Sequence, residues 1–379
     1  MKSILIMFHC DSNVRYAIDT LLQTFYKMAK ELVIENECIH ISFVSIKGSP
    51  RAVLDGMNSK NLFEFEPATK DKAECEVLQK YVQKNNIDTV FGFDMPINRK
   101  CYKYLRNGGV KKIVSYWGAP ISGLNSGFKL WMKKLEVALL YPHSPDIYIF
   151  ESDAMANTAS MGRGISKRKI KVVPLGVDTD KYKPDSNLQR YTYEQFNIPE
   201  DRKILYYSGH MEQRKGVSVL MNMANHLSDA LLRDDYHLLI LGNRAGEADG
   251  YVEMLKSKTL QHVTFAGYRD DVEKILPSCY LGIIASTGWD SFTVSSLEMA
   301  SAGLPLIVSD LQGLSETIDE GVTGFKFTPG EHMKLAKEVV RFLDDVDLQL
   351  KMSVASRQRI INKYSTNIQL DLLQKIVAV

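Results

Sequence analysis

Two separate series of short apolar runs, alternating with stretches of helical periodicity, constrain this chain of 379 residues more than any other feature. The first series covers residues 4–8, 39–45, 89–93, 112–116 and 146–150, with helical patterns over 16–32 and 101–105. The second holds ILYYS at 204–208, YHLLILG at 236–242, HVTFAG at 262–267, YLGIIAS at 280–286 and LPLIVSD at 304–310. Runs of this length, apolar throughout, fit strands buried on both faces of a parallel sheet, and the intervening helices supply its crossovers. Each series therefore predicts an open α/β sheet covered by helices.

The chain is too long for one core, so the two series divide it into two domains. The expected boundaries are 1–175 and 201–363. A linker over 176–200 follows from prolines 174, 184 and 199 and the lack of long apolar runs. The helical segment at about 364–379 either extends the second domain or packs back on the first, and periodicity does not choose. Two α/β domains joined in this way predict a cleft between them and hinge closure over a ligand.

Composition excludes several classes. With 45% hydrophobic and 24% charged residues and no low-complexity tract, disorder is not expected. The 47 basic residues nearly balance 45 acidic ones, and no basic stripe with interleaved aromatics stands out, so no nucleic-acid partner is expected. Cys10, Cys38, Cys75, Cys101 and Cys279 are widely spaced and form no CxxC pair, which points to free thiols in a reducing compartment and no structural zinc. The opening MKSILIMFHC turns polar at Asp11, Ser12 and Asn13, so it is expected to be a core strand rather than a signal peptide. No run approaches eighteen apolar residues, as a membrane span requires.

Chemistry concentrates at the ends of the predicted strands, where open parallel sheets bind ligands. The loop GHMEQRKG brings His210, Arg214 and Lys215 between Gly209 and Gly216, just before a helix. Such a loop suits a diphosphate, although it is neither a Walker loop nor a GxGxxG turn, and a solvated charge cluster is the alternative. In ASTGWDSFTVSSLEMA, Asp290 lies before a turn and Glu298 eight positions on in a helix. Backbone N–H groups at the start of that helix can hold an anion while the acids hold hydroxyls, as ribose offers. The alternatives are a helix cap for Asp290 and a dipole-stabilising acid for Glu298. Downstream, the glycines of GVTGF at 321–325 are expected to form a turn, and Glu316 to be solvent-facing or capping.

In the first domain, the loop holding His9, Cys10, Asp11, Ser12, Asn13 and Arg15 is a candidate lining by position, with His9 equally readable as packed. Asp94 could approach an acceptor hydroxyl or cap a turn, and Trp117 could stack on a sugar or fill the core. The segment 128–141, FKLWMKKLEVALLY, is either an interfacial helix touching anionic membrane or a packed helix with snorkelling lysines.

These motifs resemble those of the GT-B glycosyltransferases, in particular the large retaining family 4 group, also called glycosyl transferases group 1. The resemblance is best from Lys171 onward and covers a little over half the chain. IKVVPLGVDTDKYKP is similar to the interdomain signature of that family, and GHMEQRKG to its phosphate-binding loop, with His210 where arginine is commoner. Asp290 and Glu298 stand where the family carries two glutamates. The resemblance implies a GT-B fold, two Rossmann-like domains facing each other across a deep cleft.

It also implies roles for single residues. Lys215 and His210 would bind the donor diphosphate and stabilise the leaving charge, and Asp290 would hold the transferred sugar. Glu298 would hold the ribose. Phe292, Thr293 and Val294 would offer backbone groups, and Gly267, Tyr268 and Arg269 would lie near the base. Gly209 and Arg214 belong to the phosphate loop, and Ser12 and Asn13 to the loop that usually carries paired glycines. Trp117 before Gly118 stands where the family commonly has histidine before glycine.

The implied activity is retaining transfer of a sugar from a nucleoside diphosphate sugar, UDP- or GDP-linked, to a hydroxyl of a glycan or lipid-linked glycan, in cell-surface polysaccharide or glycolipid synthesis. No metal or further cofactor is expected, since the one DTD triplet, Asp178 to Asp180, sits in the linker signature. The expected location is cytoplasmic, with peripheral contact at the inner membrane face through 128–141. A nucleotide-sugar epimerase of the same fold, or a catalytically silent sugar-nucleotide-binding protein, is the alternative.

Overall fold

The computed structural model describes residues 2–13, 15–48 and 56–378, and of residues 15–17 the backbone alone. Arg15, a candidate from sequence, thus has a side chain outside the described residues. The chain divides into one unit of Met1–Pro174 with Asn367–Val379 and a second of Leu175–Thr366.

The first unit is built on a parallel sheet of β1 (Ile4–Met7), β2 (Ile39–Phe43), β3 (Leu62–Glu64), β4 (Thr89–Phe93), β5 (Lys112–Trp117), β6 (Ile147–Phe150) and β7 (Ile170–Val172), in the order β3-β2-β1-β4-β5-β6-β7. Ile4 pairs with Ile39 on one side and Thr89 on the other, so β1 is central. Its two-faced burial accounts for the unbroken apolar run in sequence. The helix Arg15–Leu32 sends Phe25 edge-on into Phe91 and Tyr116, with ring centroids at 4.7 and 5.0 Å. The last helix, Thr366–Ala378, belongs to this unit from Asn367 onward. Lys112 Nζ donates to the carbonyls of Ile376 at 2.6 Å and Val377 at 3.1 Å, satisfying acceptors that a helix C-terminus leaves open.

The second unit holds β8 (Lys203–Ser208), β9 (Tyr236–Leu241), β10 (Val263–Phe265), β11 (Leu281–Ile284), β12 (Leu306–Ser309) and β13 (Gly324–Phe327), ordered β10-β9-β8-β11-β12-β13 and parallel throughout. Its core joins Leu205, Leu238, Ile240, Ile283 and Ile307 of the sheet to Leu220, Met223, Val339 and Phe342 of the covering helices. Residues 176–200 are grouped with this unit, and Thr192 ties them to it by hydrogen bonds with Ser278 and Ile275. Arg357 binds the signature segment from the other side, donating to the carbonyls of Thr179, Tyr182 and Ser301. Asp178 accepts the N–H groups of Asp180 and Lys181, so the DTD triplet serves a turn.

Three strands, β3, β7 and β13, fall outside the runs read as strands. The GVTGF segment is a turn only in its first half. Gly324 opens β13, and a side chain there would strike the Leu306 carbonyl. Among the described residues no helix is long and apolar enough to cross a membrane. All five cysteines are free thiols.

Candidate active site

In each open parallel sheet the chain reverses its winding direction once, and the crevice outside the strand ends at that point is where ligands bind. In the second unit the reversal falls between β8 and β11. The loops leaving these two strands carry most of the residues predicted to be functional.

Glycine fixes how closely the loops approach. Gly216 has φ +73, and a Cβ there would stand 1.7 Å from the Ala285 carbonyl oxygen, so no other residue lets the β8 loop press against the end of β11. The Arg214 carbonyl then accepts the N–H of Thr287 at 2.7 Å, stitching the loops together. A single-turn 3-10 helix, Gln213–Lys215, delivers Lys215 at this seam.

Lys215 Nζ lies 2.8 Å from Asp290 Oδ2, a contact between residues 75 apart in sequence. Asp290 is buried, and its Oδ2 also accepts the Ser286 hydroxyl at 2.7 Å. Its own N–H donates to Gln312 Oε1 at 3.3 Å. Ser286 and Gln312 are thus site residues that the sequence did not single out. Ser286 ends a predicted strand and was within reach of the argument, whereas Gln312, at φ 24 in the loop after β12, gave no signal.

Asp290 does not cap the following helix. That helix runs Val294–Ser301 with Thr293 at its N-cap position, and no side chain caps it. Its first N–H groups are the kind of donors that hold anions. The Thr293 hydroxyl is buried without a hydrogen-bond partner among the described residues. Phe292 is buried against Tyr364, ring centroids 5.0 Å apart, so only its backbone is available to a ligand. Val294 is half-buried. Glu298, one turn into the helix, is 7% exposed.

The other predicted residues sit around this core. His210 Nδ1 and the Tyr268 hydroxyl are 3.1 Å apart, linking the loops after β8 and β10. Gly242 N donates to the Gly267 carbonyl, Gly267 N to Asn243 Oδ1, and Gly209 N to the Leu241 carbonyl, so these loops form one layer. Arg214 pairs with Glu212 at 2.9 Å and lies 5.0 Å from the Trp289 ring centroid. Arg269 has its guanidinium held by both Asp271 oxygens, with Tyr191 donating to the same carboxylate. Burial, and then the Asp290 charge, keep the Tyr207 phenol well above its usual range, so it stays neutral below the loop.

Ser12 and Asn13 belong to the first unit. Ser12 is buried, donating to the Lys47 carbonyl at 3.0 Å and accepting the Lys47 N–H at 2.7 Å, which occupies its hydroxyl within the unit. Asn13 is exposed. Trp117 is largely buried and stacks on Phe150, as the core reading of that residue has it. The helix Gly127–Leu140 has no buried residue. Phe128, Trp131, Met132, Leu135, Leu139 and Leu140 are all exposed. Val137 of the same helix packs against the core of the first unit, so the helix is docked on one side and open on the other. Among the described residues no group of three or more His, Cys, Asp or Glu is placed to hold a metal ion.

Comparison with known proteins places the same features in context. Residues 191–359 match the family model described as glycosyl transferases group 1. A phosphatidyl-myo-inositol mannosyltransferase of Mycobacterium leprae is 25% identical over 209 residues, which is 54% of this chain and 52% of that protein. The chain spans about half the length of the curated relatives it matches. Among solved structures, a glycosyltransferase from Rickettsia africae superposes with a TM-score of 0.81 at 19% identity, covering 99% of this chain and 98% of the other. Anabaena HepE, in complex with UDP and glucose, superposes with a TM-score of 0.75 at 15% identity over the full length of both chains.

Proposed function

Because the chain has the GT-B fold and is related to the glycosyl transferases group 1 family, we propose that it is a retaining glycosyltransferase, moving a sugar from a nucleoside diphosphate sugar to a glycan or lipid-linked glycan hydroxyl. The observation that carries this reading is the Lys215–Asp290 pair set beside the uncapped start of the helix Val294–Ser301. An ammonium and a row of N–H groups suit a diphosphate, and a buried carboxylate among them suits sugar hydroxyls.

In this reading the diphosphate binds between Lys215 and the helix start, with His210 as a further donor. Glu298 accepts hydrogen bonds from the ribose. Asp290 holds the hydroxyls of the transferred sugar while anchoring Lys215. As the bond from C1 to the diphosphate breaks, negative charge grows on the leaving oxygen, and Lys215 with the helix N–H groups stabilises it. The acceptor hydroxyl attacks on the same face, and its proton passes to the departing phosphate oxygen. The protein supplies position and charge stabilisation rather than a carboxylate nucleophile.

One relative named above is a phosphatidyl-myo-inositol mannosyltransferase. We assign the acceptor here to the same broad class, a hydroxyl at a lipid surface. The exposed apolar face of the helix Gly127–Leu140, flanked by Lys129 and Lys134, is the contact with anionic lipid, at the inner face of the membrane.

The test is a screen of UDP-, GDP- and ADP-sugars with cell-envelope lipid extract, with products read by mass spectrometry. A glycoside formed by the wild type and lost in Lys215→Ala supports the reading. Tight nucleotide-sugar binding with no glycoside from any acceptor would favour a binding protein instead.

A further inference from the structure

Gln312 opens the 3-10 helix Gln312–Thr317 with φ 24, on the positive side that favours glycine, yet it carries a long side chain there. Backbone strain of this kind persists only where the surroundings impose it, and it gathers at functional sites. Here the surroundings are fixed on both sides. Asp310 N–H donates to the Phe327 carbonyl of β13 at 2.9 Å, Leu311 N–H to the Ser309 carbonyl at 2.8 Å, and the Ser315 hydroxyl to Asp310 Oδ1 at 2.7 Å. Gly313 and Leu314, which follow, are buried, whereas Gln312 is exposed. Core packing therefore does not account for its side chain, and its one hydrogen bond among the described residues runs to Asp290.

That bond settles which way the amide is turned. The Asp290 N–H is a donor, so the atom 3.3 Å from it is the amide oxygen, and Nε2 with its two N–H groups is left without a partner among the described residues. Asp290 supplies the complementary half. A carboxylate offers about four acceptor positions. Oδ2 takes Lys215 Nζ and the Ser286 hydroxyl, and Oδ1 takes the Ser291 N–H at 3.2 Å, which leaves one position on Oδ1. Spare donors and a spare acceptor thus stand on two residues joined by a hydrogen bond. A hydroxyl, which donates and accepts at once, is the group that satisfies both. A phosphate oxygen only accepts, and the carboxylate repels it.

We propose that Gln312 is a specificity-determining residue for the transferred sugar, donating from Nε2 to a sugar hydroxyl that in turn donates to Asp290 Oδ1. The inference rests on reading Asp290 as the residue that holds this sugar. It narrows the substrate class to donors whose sugar keeps a free hydroxyl at the position facing Asp290. A sugar deoxygenated or acylated there leaves the buried carboxylate and the amide unmatched, and a site built to bind a hydroxyl rejects such an analogue.

The test separates the sugar from the nucleotide. The full chain, Gln312→Met and Gln312→Gly are titrated by calorimetry with UDP and GDP, and then with UDP-glucose, UDP-galactose, UDP-N-acetylglucosamine and GDP-mannose. Methionine keeps the length of the side chain without its amide, and glycine relieves the backbone, so the two variants remove the same hydrogen bonds with opposite effects on strain. The expected result is wild-type affinity of both variants for UDP and GDP, with a loss of about tenfold for the nucleotide sugar that the wild type binds most tightly. Preference among the four donors narrows accordingly. Wild-type affinity of both variants for every donor overturns the proposal. So does an equal loss for bare nucleotides and nucleotide sugars, which would make Gln312 a prop of the loop rather than a contact of the sugar. A wild type that binds neither UDP nor GDP fails earlier, at the reading of the second unit as a nucleotide-sugar site, and takes this inference with it.

Discussion

The ammonium of Lys215 and the carboxylate of Asp290 meet at 2.8 Å across two loops that leave neighbouring strands, β8 and β11. The side chains are 17% and 6% exposed, so the pair is mostly out of water and its geometry is set by the loops rather than by the ions. Asp290 is one methylene shorter than the glutamate commoner at this position in the family it resembles. Its carboxylate reaches Lys215 and Ser286 from where it stands.

The seam that brings the pair together depends on Gly216. Gly216→Ala combines a left-handed backbone with a clash against the Ala285 carbonyl, and the β8 loop must move to relieve it. Urea denaturation is expected to show a loss of about 2 kcal/mol or more. Nucleotide binding should weaken with it, because Lys215 is displaced with the loop.

The β10 loop gives a pH-dependent prediction. Arg269, opposed by burial and assisted by Tyr191, holds the Asp271 carboxyl at about 2, below its ordinary value of 3.8. The folded state therefore favours the ionised form. That stabilisation is fully present above the unfolded value and disappears as pH falls through about 2. Asp271→Asn should lower Tm by a few degrees at pH 7, and the gap from wild type should close as pH falls from 4 toward 2. A gap that stays constant over this range would show that Asp271 contributes by packing rather than by charge.

The apolar face of the helix Gly127–Leu140 predicts membrane partition. Vesicle flotation should recover the protein with phosphatidylglycerol vesicles and much less with phosphatidylcholine. Replacing Trp131 and Leu139 together by serine should lower recovery at least about tenfold, since burying each such side chain is worth about 1.5–3 kcal/mol. Equal recovery of wild type and variant would remove this face from the account.

The alternation of strands and helices was legible because β1, β2, β4, β5 and β6, like β8, β9, β11 and β12, are interior strands buried on both faces. Nearly every residue of these strands is buried, apart from ends such as Lys112 and Lys203. The edge strand β3, with Glu64 at its end, and β7, with Lys171 in its middle, are only three residues long and keep a polar residue. No apolar run marks them. At the site, loop composition pointed to Lys215 and to Asp290. The sequence did not reveal that the two touch, because that contact depends on the register of β8 against β11 and on the close approach at Gly216. The left-handed backbone of Asp94 was equally invisible, since it is imposed by the Tyr116 carbonyl and the Gly118 N–H rather than by neighbouring residues.

The most direct test is calorimetric titration of wild type and Lys215→Ala with UDP and GDP, followed by the rate of sugar release from the matching donor. The account predicts that wild type binds one of the two nucleotides, and that Lys215→Ala loses at least about 100-fold in kcat/KM for donor turnover. Turnover by Lys215→Ala at the wild-type rate would contradict it, because the ammonium at the centre of the site would then carry none of the leaving charge.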